Sequence, residues 1–137
     1  MKIRKNALDK KLLAAATSSS LTKEVKTLIK EGADVNCTNQ WGMTPLMMAA
    51  MYNSHVSVLK TLISAGADIN AVEPKYRSNA LHLAANHSSN AKIIDILVEA
   101  GIDINTKNYL GETPLIMSVS SNSNTRIFSE LLAETFP

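Results

Sequence analysis

The chain has 137 residues, 45% of them apolar and 19% charged, which suits one globular domain and excludes disorder along the whole length. Its net charge of +2 creates no strong field, so nucleic acid is not implied by charge. A single cysteine, Cys37, excludes an internal disulfide and a cysteine-cluster zinc site, and fits a reducing, cytoplasmic setting. No apolar run reaches the roughly 20 residues that cross a bilayer, so no membrane span is expected.

The chain opens on MKIRKNALDKK, where Lys2, Arg4, Lys5, Lys10 and Lys11 face only Asp9. This stretch reads as a solvated basic leader. The LLAAA run that follows is shorter than the roughly 7–15 apolar residues of an export signal, so no cleaved signal is expected. A first helix is expected from Leu12, a polar break at Ser18-Ser19-Ser20, and a second helix that ends before Gly32.

In the next segment Thr44 is suited to cap a helix, its hydroxyl accepting an otherwise unpaired amide of the first turn. Pro45 follows where its missing N–H is no loss. Leu46, Met47, Ala49 and Ala50 build that helix, and Met48 is expected in the core. Asn53-Ser54 breaks it, and Val56 to Ser64 forms the next helix, with Gly66 just past its end. In the third segment Asn79 is expected to cap, since Asn79-Ala80 stand in place of Thr-Pro, and the break is Ser88-Ser89-Asn90. In the fourth, Thr113-Pro114 opens the helix and Asn122-Ser123-Asn124 breaks it. None of the breaks has a glycine, so a slightly longer turn using left-handed Asn is expected.

These segments are copies of one another. EGADVN, AGADIN and AGIDIN place Gly32, Gly66 and Gly101 at intervals of 34 and 35 residues. One leucine column, Leu12, Leu46, Leu81 and Leu115, and a second, Leu28, Leu62, Leu97 and Leu131, both repeat at 34, 35 and 34.

With GMTPLMMAA, NALHLAA and GETPLIM at helix starts and GADVN, GADIN and GIDIN at repeat ends, the chain resembles the ankyrin repeat proteins. The resemblance implies an all-α solenoid of four helix-turn-helix repeats with β-turn fingers. They fall at about 1–36, 37–70, 71–105 and 106–137, in a single domain. Repeat 1 lacks a finger, with Lys10-Lys11 in place of Thr-Pro. Repeat 4 carries Ser118, Ser120-Ser121, Arg126, Ser129 and Glu130, so both ends are expected to act as polar caps. With Pro137 where the last helix would stop, the chain is expected to be complete or a trimmed repeat domain. Repeat 3 departs most: its finger is one residue longer, and Arg77 replaces the turn glycine.

Chemistry finds little support. His82 holds the histidine position of the family motif, where a structural role between repeats is implied. His55 and His87 are not aligned, and no HExxH or CxxC spacing occurs, so no metal and no cofactor are expected. Asp34, Asp68 and Asp103 recur once per repeat, which is a stack and not a paired acid and base. Cys37 reads as a small finger residue that partial exposure would leave oxidisable.

Binding finds more. Finger tips and first helices of such a solenoid form a concave surface. Here they carry Gln40, Trp41 and Met43, then Lys75, Tyr76 and Ser78, then Tyr109, Leu110 and Glu112, with Met51, Tyr52, Asn86 and His87 on the helices. Trp41, Tyr52, Tyr76 and Tyr109 are four of the six aromatics in the chain, and exposed Trp and Tyr are enriched at interface hot spots. The expectation is a monomeric, non-catalytic module binding an unknown protein partner, with those four as anchors and Gln40, Lys75, His87 and Glu112 as selectors. Two alternatives stay open: a bacterial or viral effector acting on a host protein in the host cytosol, and nucleic-acid binding through Lys75, Arg77 and Lys107, which is not favoured.

Overall fold

A computed structural model describes residues 2–121 and 125–137; the break at 122–124, and the side chains of residues 1–5 and Ser121, lie outside the described residues. Among them are eight helices and no strands. They are α1 (Lys2–Ser18), α2 (Thr22–Lys30), α3 (Pro45–Tyr52), α4 (Val56–Ser64), α5 (Ala80–His87), α6 (Lys92–Glu99), α7 (Pro114–Ser121) and α8 (Thr125–Thr135). They form four antiparallel pairs. The inner helices α1, α3, α5 and α7 pack in series, and so do the outer helices α2, α4, α6 and α8.

Side-chain size explains the two rows. Ala15, Ala49 and Ala84, and beside them Ala16, Ala50 and Ala85, are buried where inner helices meet, and small side chains let the backbones approach. Between the rows lie the leucine columns, with Val25, Val58, Leu59, Ile93, Ile94 and Ile127 completing the core. Each outer helix buries one apolar stripe, as Val25 and Leu28 do in α2.

Two expected caps form: Thr44 Oγ1 accepts the Met47 amide at 3.3 Å, and Asn79 Oδ1 accepts that of His82 at 2.9 Å. At the repeat ends Gly32, Gly66 and Gly101 take φ of 114°, 97° and 91°. Behind them the amides of Ala33, Ala67 and Ile102 reach the carbonyls of Leu28, Leu62 and Leu97. This is the Schellman closure, whose left-handed residue glycine adopts without a Cβ penalty.

The Asp-x-Asn of each repeat end joins one repeat to the next. Asp34, Asp68 and Asp103 each accept the amide two residues on, at 2.9, 3.1 and 2.9 Å, which folds a local turn. Asn36 Oδ1 then accepts the amide of Asp68 at 2.7 Å, and Asn70 Oδ1 that of Asp103 at 3.1 Å. Asp9 on α1 supplies the missing first rung to Asp34 at 2.8 Å.

The structure corrects several expectations. The first helix starts well ahead of Leu12: α1 runs back to Lys2 through the basic start, with Leu8 buried and Lys10 and Lys11 exposed. Lys and Arg are good helix formers, and without a finger nothing interrupts them. Among the described residues the inter-helix turns are not left-handed; Asn53 and Ser88 are extended, with φ of −94° and −68°. Their side chains make the turn, Asn53 Oδ1 accepting from His55 and Ser88 Oγ from Asn90, as Ser19 Oγ does from Leu21. Asn53 also donates to the carbonyls of Ala16 and Ser19 in the preceding repeat. Met48 is only half-buried.

Repeat 4 differs from repeats 2 and 3 in its first helix. Ser118 is buried in the alanine column, donating to the Leu115 carbonyl at 2.7 Å. Ile116, Val119, Leu132 and Phe136 are exposed. In repeats 2 and 3 the first two columns hold Met47 and His82, and Ala50 and Ala85, which are buried.

Cys37 is buried, and burial first, then the Asp9 and Asp34 carboxylates, push its thiol up to about 12. Its burial removes the partial exposure that would have left it oxidisable. At about pH 8 the thiolate is roughly one part in ten thousand of this group. Native protein is expected to leave a colorimetric thiol reagent unreacted over the time in which urea-unfolded protein reacts completely.

Candidate functional site

The fingers are hairpin-like loops organised from inside by one side chain each. In the second, Asn39 Oδ1 accepts the amides of Trp41 and Met43 at 2.9 and 3.0 Å, while Asn39 N–H donates to the Met43 carbonyl. Asn108 repeats this in the fourth, accepting from Leu110 and Glu112, both at 2.9 Å. Gly42 and Gly111 close these turns at φ of 77° and 78°.

The third finger solves the same problem for a longer loop. Glu73 stands where Asn39 and Asn108 stand, and its extra methylene matches the extra residue. Its carboxylate accepts the amide of Lys75 at 2.8 Å, of Tyr76 at 2.9 Å and of Ser78 at 3.1 Å. Its own amide donates to the Ser78 carbonyl at 3.0 Å, and it is a buried charged residue. Arg77 occupies the glycine place with φ of 57°. Among the described residues it alone takes a positive φ without being glycine. Arg77→Gly is expected to raise stability by about 1 kcal/mol, measured by urea unfolding. An unchanged midpoint would mean the turn carries no strain.

The fingers are locked to each other and to the helices. Tyr109 N–H donates to the Tyr76 carbonyl at 2.7 Å. Pro74 covers Gly42 so closely that a Cβ there would lie 2.5 Å from the proline ring. His82, fully buried, bridges its own cap to the fourth finger: Nε2 is 2.8 Å from the Glu112 carbonyl, and Nδ1 is 3.2 Å from the Asn79 amide. A carbonyl only accepts, so the proton sits on Nε2 and Nδ1 accepts from Asn79. Burial holds the His82 pKa below its ordinary value, against the raising influence of the Glu112 and Thr106 main chain.

Between these fingers and α3 and α5 lies a cleft of about 610 Å³. Ten of the residues selected from the sequence line it: Trp41, Met43, Met51, Tyr52, Lys75, Tyr76, Ser78, Asn86, His87 and Leu110. They do so unequally. Trp41, Tyr52, Tyr76 and Leu110 are exposed walls. Met51 and Ser78, at 8% and 2% exposure, are floor and support, because α5 and the long third finger close over them. The Tyr52 and His87 rings are tilted, 6.3 Å apart, and Lys75 Nζ lies 5.0 Å from the centre of the Tyr76 ring. Asn86 is tied to His87, Nδ2 to Nε2, at 3.0 Å.

Three selected residues lie outside the cleft. Gln40 lines a recess between the second finger and α1, which Trp41 also borders. Tyr109 points into solvent, 72% exposed. Glu112 is half-buried, its main chain engaged by His82 and Asn108. Glu73, Leu83, Asn108 and Met117 complete the lining and are not among the residues selected from the sequence. Column alignment finds them: Leu83 and Met117 align with Met48, and Asn108 and Glu73 stand in for Asn39. No group of three or more metal-ligating side chains exists among the described residues, and no helix among them is long and apolar enough to cross a membrane.

Helix pairs stacked in register, with projecting loops tied to one another, define a helical-repeat solenoid. The family described as ankyrin repeats (3 copies) matches residues 12–108. The chain belongs to the ankyrin-repeat family, whose members are generally protein-interaction modules. A comparison with curated proteins returns no match.

Proposed function

We propose that the chain is a non-catalytic module that binds a partner protein on its concave surface, with the cleft between the second and third fingers as its centre. The observation that carries this reading is the combination of exposed Trp41, Tyr52 and Tyr76 with a methionine- and leucine-lined floor. Aromatic anchors give large contact area at low entropic cost, and methionine adapts to the side chain it receives. The loop amides are already used internally by Asn39, Glu73 and Asn108, so the surface is pre-organised and little ordering entropy is lost on binding. The module acts as one domain, monomeric and in the cytoplasm, or in a host's cytosol if it is an effector. The lone buried thiol accords with a reducing compartment.

Affinity capture from the native lysate tests the site. The bait carrying Trp41→Ala and Tyr76→Ala is expected to lose the partner, and the bait carrying Tyr109→Ala to keep it. A partner retained by both baits, with circular dichroism unchanged, would move the site to the outer helices or α1.

A further inference from the structure

We infer that the partner segment is acidic: an extended peptide that seats one apolar side chain in the cleft and sets flanking Asp or Glu residues against Lys75 and Arg77. This rests on the protein-binding reading and adds the partner's chemistry to it.

Charge and backbone strain on the third finger point to such a segment. Lys75 and Arg77 are both exposed on the third finger. Their side chains make no hydrogen bond or ion pair among the described residues. The acid that lines the cleft, Glu73, is buried, and its carboxylate is turned inward onto three main-chain amides. The surface a ligand meets at this finger is therefore cationic. Arg77 adds a second observation. It holds a left-handed conformation where the sister fingers place Gly42 and Gly111, so the finger keeps a strained arginine where glycine would be relaxed. Strain of this kind is held by the surrounding structure and clusters at ligand-binding and switch sites. The floor, with Met43, Met51, Leu83 and Met117, suits an apolar side chain and offers nothing to the polar edges of a base. Three finger cations, Lys75, Arg77 and the exposed Lys107, are also few beside the roughly 6–10 phosphate contacts of a salt-driven nucleic-acid binder.

A library of random dodecapeptides displayed on phage and panned against the whole protein tests this. Enriched sequences are expected to carry two or more Asp or Glu around one Leu, Ile, Met, Phe or Trp. For the best of them made synthetically, Lys75→Glu is expected to weaken binding roughly tenfold, and Arg77→Gly roughly threefold while the unfolding midpoint rises. Enrichment of apolar peptides without acidic bias, or affinities that neither substitution changes, would overturn the acidic partner and leave the protein-binding reading standing. No enrichment by the folded protein would overturn both. So would a short single-stranded RNA that binds at low salt and is lost with Lys75→Glu.

Discussion

Glu73→Ala is expected to destabilise the native state by about 3 kcal/mol, a large effect for a residue on a surface loop. The alanine removes the acceptor for the amides of Lys75, Tyr76 and Ser78, and Ser78 is buried, so water does not replace the carboxylate there. The loss propagates, because the third finger holds the fourth through the Tyr76 carbonyl and covers Gly42 with Pro74. Glu73→Asp is expected to recover little, since the shorter chain falls one methylene short of a loop one residue longer. Glu73→Asn combined with deletion of Pro74 and Arg77→Gly is expected to recover most of it, because that combination restores the spacing of Asn39 to Gly42. Urea unfolding followed by far-UV circular dichroism measures each. A loss below about 1 kcal/mol for Glu73→Ala would mean that the loop holds itself without the carboxylate.

His82→Met is expected to cost about 2–3 kcal/mol near neutral pH and to change how stability responds to acid. Methionine fits the column, since Met47 stands there in repeat 2, but it leaves the Asn79 amide and the Glu112 carbonyl without their partner. Burial holds the pKa of His82 in the folded chain below its ordinary 6.5. Between those values the unfolded chain binds the proton and the folded chain does not. Stability from neutral His82 is thus present at neutral pH and lost progressively as pH falls below about 6.5. Paired urea curves at about pH 7.5 and about pH 5 are expected to show wild type losing more stability than His82→Met. Parallel losses in the two proteins would place the acid sensitivity elsewhere.

Most of the fold was legible because its signals are local. A leucine column, a Thr-Pro cap and a glycine after a helix each act within a few residues, and recurrence at one period removes the ambiguity of any single copy. Val56 to Ser64 was read to its ends on those grounds. What escaped depends on the neighbouring repeat. Asn53 looks like a turn residue, yet its amide serves two carbonyls more than thirty residues earlier. Met51 and Ser78 look like exposed lining until α5 and the third finger close over them. Glu73 carries no local signal of its role. Only alignment to Asn39 and Asn108, with the extra residue counted, gives it a reason. Cys37 reads as a small finger residue of open exposure, because the sequence does not reveal that the Asp9 end of α1 packs over it.

The rungs along the repeat ends carry a consequence for how such a chain changes length over evolutionary time. Asn36 offers Asp68 the same oxygen that Asn70 offers Asp103, and each aspartate offers the same amide in return. The joint between neighbours is thus written in one grammar. A unit copied or excised from the middle brings its own acceptor and its own donor, and the severed ends find equivalent partners across the new junction. Gene duplication can then lengthen the stack without orphaning a polar group, while the outermost rung alone must be improvised, as Asp9 does from within a helix.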